Sequence, residues 1–270
     1  MEQLYFKAQP YQGLQQVVGA ADGGLMAFDM VKLKSGESCT ELSGIYEIAL
    51  VILSGQANIA VDGEEFKHLG QRKDVFSGTA ATVYIPRDSS FRVESLSDDF
   101  EAALCKVEAE KKFKAFAVTP EQVIVNHRGG LIWQRDVHDI ITDNGEGNVD
   151  RIVVGETFSN PGNWSSFPPH KHDRYVPGEE TKLAEIYHFR VSPANGFGIQ
   201  VLYSEDRELD EAVLIRDMDT VNIPFGYHPV VAPPSVKVYY LWFMAGTLGR
   251  KLVPHDDPDF VELRQLETKK

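Results

Sequence analysis

The sequence predicts an all-β protein made of two related units, and three observations lead there. Helical periodicity is scarce, short β-rich runs follow one another along the chain, and one pattern of runs recurs in the second half. The runs include "IYEIALVILSG", "QANIAVDG", "TVYIP", "FRVES", "AALCKVEAE", "RIVVGETF", "EIYHFRV", "FGIQVLY", "AVLIRD", "TVNIP" and "KVYYLWFMAG". Most carry β-branched or aromatic residues over about 4–8 positions. Gly, Pro, Asp, Asn and Ser separate them. Many short strands at close spacing are the signature of a β-sandwich or barrel. The one stretch that reads as a candidate helix, and a short one, is 256–267.

The recurrence defines the units. "TVYIPRDSSFRV" (82–93) runs in step with "TVNIPFGYHPVV" (220–231), setting Ile85-Pro86 on Ile223-Pro224 and Ser90 on His228. "YEIALVILSG" (46–55) can be laid on "AEIYHFRVSP" (184–193), which places Glu47 on Glu185. Two β-domains follow, over 1–117 and 151–270. The first lacks the histidines of the second, and the polar segment 118–150, Gly-rich toward its end, connects them.

Composition narrows the function. The chain has 270 residues, 43% hydrophobic and 25% charged, which suits a folded protein of one large or two modest domains. A net charge of −13 repels phosphate backbones, so nucleic acid is not an expected partner. A small anion remains compatible, because a metal or a local basic cluster outweighs the mean field. Cys39 and Cys105 form no CxxC or zinc motif and read as reduced thiols of a cytoplasmic protein. "MEQLYFKAQP" lacks the pattern of a signal peptide, and no apolar run approaches the ~18 residues of a membrane span.

The chemistry gathers in the second half. In "FPPHKHD" (167–173), His170 and His172 project to one face if the stretch is extended, and the prolines favour that. Two imidazoles can share a divalent ion, but such sites need three or four ligands. Glu185, opening "EIYHFR", and His228, after "IPFGY", supply two more. Three histidines and a carboxylate suit zinc first, with manganese, iron, cobalt or nickel as alternatives. Lys171 alternates away from its flanking histidines and has no evident role. His188 alternates away from Glu185, and His68, His127, His138 and His255 have no ligand-like neighbours in sequence. Neither "SGIYE" nor "GLIWQR" is a nucleotide-binding glycine fingerprint, so no nucleotide cofactor is expected.

The order HxH, then Glu, then P-x-G-x-x-H resembles the cupin superfamily of double-stranded β-helix (jelly-roll) proteins. In that resemblance His170, His172, Glu185 and His228 take the metal-ligand places. The twelve residues "DRYVPGEETKLA" between His172 and Glu185 exceed the usual spacing and leave Glu179 or Glu180 as rival carboxylates. "NWSSFPPHKHD", "PGEE", "GFGIQ", "LDEA", "GYHPV", "YYLWFMAG", "DDP", "HLGQR" and "VYIPRDS" further resemble the 5-deoxy-glucuronate isomerase family of myo-inositol catabolism, whose members are bicupins. Departures fall at Val201 and Trp242, where that family usually has Arg and Asn.

The resemblance implies an aldose–ketose isomerisation of 5-deoxy-D-glucuronate to 5-dehydro-2-deoxy-D-gluconate. The metal would polarise the aldehyde and its neighbouring hydroxyl, with an enediol or a hydride shift as the route. Tyr187 shares the Glu185 face and is a candidate acid or base, or an aromatic filling the barrel. Glu180, on the inserted loop, could close over substrate or stand in solvent. Arg207, Arg190 and Lys182 are candidates for the substrate carboxylate, and Gln200 for a sugar hydroxyl. Asp206 and Asp210 read as turn residues. Other cupin chemistry, such as an oxygenase, and a non-enzymatic sugar-binding bicupin are the competing functions. Exposed strand edges make a homo-oligomer a further expectation.

Overall fold

The computed structural model describes residues 3–267. Met1 and Glu2, the start of the stretch read for a leader, lie outside the described residues. The architecture is two jelly-roll halves, each a large antiparallel sheet facing a small one. In the first half the large sheet runs Phe116–Val118, Thr82–Ile85, Tyr46–Ser54, Phe100–Glu108, Met26–Leu33, Gly13–Val18. Its small sheet runs Ser38–Leu42, Ser90–Ser95, Ala57–Val61, Glu64–Leu69. In the second half the large sheet is centred on Thr220–Ile223, Ala184–Ser192, Lys237–Ala245 and Val153–Ser159. Trp164–Ser165, Val230–Val231, Gly198–Tyr203 and Asp210–Ile215 face it.

Three apolar clusters hold these layers. One fills the first barrel around Ile48, Leu50, Ile85 and Leu104. One fills the second around Tyr187, Phe189, Leu202 and Tyr240. The third joins the outer faces of the two large sheets, with Ala49, Val51 and Cys105 from one half against Ile186, Tyr239 and Phe243 from the other. Central strands such as Tyr46–Ser54 are therefore buried on both faces, and their sequences are continuous apolar runs rather than alternations.

The ends of the halves interleave. Tyr5–Phe6 pairs with Val221 and Thr220 of the second half. Ile124–Arg128 and Arg135–Ile141, within the segment read from sequence as a connector, extend the second large sheet at its edge. Their half-exposed, charge-bearing sequences hid them from a reading based on apolar runs. At 256–267 the candidate helix reduces to a 3-10 stretch, Val261–Leu266, because His255–Asp256 pairs as a strand with His170–Lys171. No helix among the described residues is long and apolar enough to cross a membrane.

The pairing also corrects the alignment of the halves. Ile85 lies opposite Ile48, whereas Ile223 lies opposite Glu185. The residue at the Glu185 position in the first barrel is thus Ile48, not Glu47. A one-residue slip moves a side chain to the other face of the sheet. Glu47 faces the junction of the halves, where its carboxylate accepts the backbone N–H of Asp150, Arg151 and Ile152 at 2.9, 2.6 and 2.8 Å and the Tyr84 hydroxyl at 2.8 Å. Nearby, Arg72 of the first half forks onto Glu156 of the second at 3.2 and 2.6 Å, and Tyr239 donates to the same carboxylate.

Candidate metal centre

His170–Lys171 is a two-residue strand against His255–Asp256, so its side chains alternate between faces. His170 and His172 turn inward. Their ring centroids lie 6.3 Å apart, and His228 stands 5.0 Å from His170 and 5.1 Å from His172. Glu185 enters from the first inward position of its strand. One Glu185 oxygen, Oε2, lies 3.3 Å from His172 Nε2 and 3.4 Å from His228 Nε2. The ligand atoms of His172, Glu185 and His228 all fall within 4.8 Å of one another, and all three side chains are buried. His170 stands just outside this trio and faces the adjoining cavity beside Glu185.

Each imidazole is fixed by the backbone. Nδ1 of His172 meets the Leu183 carbonyl at 2.8 Å, that of His228 the Gly226 carbonyl at 2.9 Å, and that of His170 the Pro168 carbonyl at 3.2 Å. A carbonyl can only accept, so Nδ1 carries the proton and Nε2 presents its lone pair to the centre. Burial pushes His170 and His228 down to about 3, keeping both neutral. Burial also opposes a charge on His172, but the Glu185 carboxylate and the Leu183 carbonyl outweigh it and raise that pKa.

These groups fit a divalent ion. Glu185 Oε2 and His228 Nε2 are buried with no hydrogen-bond partner among the described residues. A carboxylate oxygen and the Nε2 atoms converge with no donor besides a protonated His172, an arrangement costly in a dry interior and satisfied by a cation. A carboxylate oxygen with imidazole nitrogens whose far sides are held by carbonyls is the donor set that would hold a divalent ion.

The inserted loop does not bring a second carboxylate to this centre. Glu179 is exposed and Glu180 is buried on the opposite face. Glu180 accepts Lys171 Nζ at 3.0 and 2.9 Å and the backbone N–H of Asp173 and Arg174 at 2.8 and 2.9 Å. It is therefore neither the ligand nor the lid that its loop position suggested. Lys171 is 1% exposed and also bonds Asp173, whose other oxygen takes the Gly226 N–H at 2.9 Å. This buried network ties the HxH strand to the loop that carries His228. Gly226 allows the close approach: its φ is +91°, and a Cβ there would sit 2.8 Å from the Tyr203 carbonyl. The signal for Lys171 was present in sequence, since a lysine facing away from a metal on a buried strand needs carboxylates, and Asp173 and Glu180 follow it.

Other candidates also move. Gln200 is fully buried and its Nε2 donates to the carbonyls of Val201, His228 and Pro229, bracing the His228 segment rather than facing a ligand. Arg207 is half-exposed, stacks 4.1 Å from the Tyr203 ring and lies 3.6 Å from Asp210, outside the cavity wall. Arg190 pairs with Glu101 at the junction of the halves, and Lys182 is exposed. His188 is buried against Phe28 and bonds Thr220 Oγ1.

Tyr187 does face the site. Beside the trio lies a cavity of about 330 Å³ lined by Glu185, His170, Tyr187, Ser166, Tyr240, Trp242 and Met244, with Arg135, Arg128, Arg264 and Asp139 toward its other side. Tyr187 OH is 3.0 Å from Ser166 Oγ, which is 3.3 Å from Tyr240 OH. Burial, reinforced by the Glu185 charge, pushes the Tyr187 phenol well above its usual range. Trp242 bonds Thr157 through Nε1 and lies over Gly155, where a Cβ would meet the indole at 2.3 Å. Arg128 and Arg135 escaped the sequence reading because their strands lie in the segment taken for a connector, and Arg264 because it sits in the C-terminal stretch taken for a helix.

Two back-to-back jelly-roll halves, one with a histidine–carboxylate cluster opening on a cavity, define a bicupin of the enzymatic kind. The chain belongs to the KduI/IolB family, whose model matches residues 4–263. It is 37% identical over 235 residues, 87% of this chain and 84% of the relative, to the 5-deoxy-glucuronate isomerase of Geobacillus kaustophilus (strain HTA426). To that of Bacillus subtilis (strain 168) it is 35% identical over 232 residues, 86% and 84% of the two chains. Among solved structures, an IolB-like protein from Salmonella typhimurium LT2 superposes with a TM-score of 0.92 at 34% identity, covering 97% of this chain and 99% of that one. An oxalate decarboxylase of Bacillus subtilis shares the bicupin fold at 11% identity, with a TM-score of 0.66 over 95% of this chain and 80% of that one.

Proposed function

We propose that this chain is a metal-dependent 5-deoxy-glucuronate isomerase, converting 5-deoxy-D-glucuronate to 5-dehydro-2-deoxy-D-gluconate. The observation that carries the reading is the buried His172–Glu185–His228 trio opening onto a cavity lined by His170 and Tyr187. His172, Glu185 and His228 would hold the ion, zinc first, with His170 as the fourth ligand. A bound divalent ion supplies a Lewis acid that draws electron density from the substrate's carbonyl and adjacent hydroxyl oxygens. The reaction needs no external oxidant, because one carbon is oxidised as its neighbour is reduced.

The chain's own residues supply the rest. Tyr187 stays protonated through burial and so can donate a proton to a substrate oxygen as its charge grows. Ser166 and Tyr240 orient that hydroxyl and can pass the proton on. Trp242, Met244 and the C-terminal residues Leu252 and Pro254 wall the cavity with apolar surface, which limits water and strengthens the electrostatics inside. The free thiols Cys39 and Cys105 support a place in the cytoplasm.

Elemental analysis and turnover of 5-deoxy-glucuronate, before and after chelation, test the reading. The expected result is a stoichiometric metal and ketose formation without oxygen consumption, both lost in His172→Ala/His228→Ala. Full activity in that double variant would overturn it. Oxygen consumption would assign the site to an oxygenase instead.

A further inference from the structure

The protein carries a net charge of −13, yet three arginines line one cavity. They are not equivalent. Arg264 is saturated: its Nε and Nη2 fork onto Asp256 at 2.7 and 2.6 Å, and its Nη1 takes Glu267 at 3.0 Å. Arg128 is exposed at the outer edge of the sheet, near Asp139. Arg135 differs from both. It is 8% exposed, so its charge is held away from water. Among the described residues its bonds come from Nη1 alone, at 3.3 Å to the Trp133 carbonyl and 3.5 Å to a Glu267 oxygen that Arg264 already holds more closely. Burial pushes its pKa down, the mark of a cation whose neighbours do not compensate its loss of water.

Its position suits a ligand with two ends. Arg135, Val137 and Asp139 alternate onto the cavity side of their strand, and three strand steps separate it from the strand of Glu185 and Tyr187. That is about 14 Å at ordinary strand spacing. Arg135 lines the same cavity as His170, Glu185 and Tyr187, and a guanidinium on its long stem can span part of that distance. A polar centre at one end and a poorly paired fork at the other match a short chain with a carbonyl at one terminus and a carboxylate at the other.

We propose that Arg135 is the specificity-determining residue of this site, its fork receiving the carboxylate of the sugar acid while the carbonyl end lies at the His172–Glu185–His228 trio. This rests on the isomerase reading and adds to it what selects an acid over a neutral sugar. A planar fork binds a carboxylate bidentately, which an ammonium cannot reproduce.

The test uses Arg135→Gln and Arg135→Lys in the metal-loaded protein, with 5-deoxy-glucuronate as substrate and its neutral methyl ester as competing ligand. Loss of a buried charged pair raises KM for the acid by about a hundredfold in Arg135→Gln and about tenfold in Arg135→Lys. The Ki of the ester stays within about twofold of wild type in both, since it offers no full charge to lose. Metal content and melting temperature report whether Arg135 only supports the fold, and Arg135→Lys carries the test if Arg135→Gln does not fold. Equal losses for acid and ester, or an unchanged KM for the acid, would overturn the proposal. An inactive wild type would instead fell the isomerase reading itself.

Discussion

The two barrels place the same strand beside the same Ile-Pro strand, and the inward position opposite that isoleucine separates them most sharply. In the first barrel that position is Ile48, packed with Leu50, Ile85 and Leu104 in an apolar interior. In the second it is Glu185, buried among Nε2 lone pairs with an oxygen that has no partner among the described residues. An isoleucine there contributes roughly 2–3 kcal/mol of burial. A carboxylate without a partner costs several kcal/mol. The second barrel carries that cost within an apolar cluster of its own, built around Tyr187, Phe189, Leu202 and Tyr240. The comparison separates scaffold from chemistry: one half shows what the framework does when optimised for packing, the other what it does when a charge is forced into it.

Four experiments break or sharpen this contrast. Glu185→Ile makes the second barrel imitate the first. It should lower activity more than about 10³-fold and abolish metal retention, while raising the unfolding free energy of the metal-free protein by about 1–3 kcal/mol. Elemental analysis and denaturant titration read both, and a less stable metal-free variant would refute the account of Glu185. The converse, Ile48→Glu, should cost about 3–5 kcal/mol and gain no metal, because no lone pairs converge there. Lys171→Met removes the cation between Glu180 and Asp173 and loosens the tie from the HxH strand to the His228 loop. Metal affinity should fall about 10–100-fold, as for other groups that orient ligands. Wild-type affinity measured by chelator competition would count against that role. Smallest in reach, Tyr187→Phe should lower kcat about tenfold or more with metal content unchanged. If metal is lost instead, Tyr187 positions ligands rather than donating protons.

The ligand order was legible in the sequence because it rests on local rules. Residues i and i+2 of an extended stretch share a face, so His170 and His172 come together and Lys171 points away. The class of fold was legible from the density of short β runs. What escaped depends on which face of a strand is which. Tyr46–Ser54 is apolar at nearly every position because both faces are buried, so its alternation is invisible and Glu47 could be mistaken for the counterpart of Glu185. The pairing of Glu180 with Lys171 is easy to miss for the opposite reason, although the carboxylates that follow Lys171 signal it. Charged residues are usually exposed, and only the folded insertion brings these two into one dry pocket. Arg135 sits on a strand with too few apolar residues to be recognised as one.

All three inward histidines take their orientation from main-chain carbonyls, at Pro168, Leu183 and Gly226. Many metal sites use a neighbouring carboxylate for this, and a mutation there disturbs the ligand. Here the constraint is carried by chain path rather than by a partner side chain on each imidazole. The residues lining the sugar cavity can therefore drift without altering which nitrogen each imidazole presents. Natural variation in a lineage can change what the pocket accepts while the histidine–carboxylate cluster stays constant, and a directed-evolution library can be confined to Arg128, Arg135, Trp242 and Leu252 with the histidine geometry left intact.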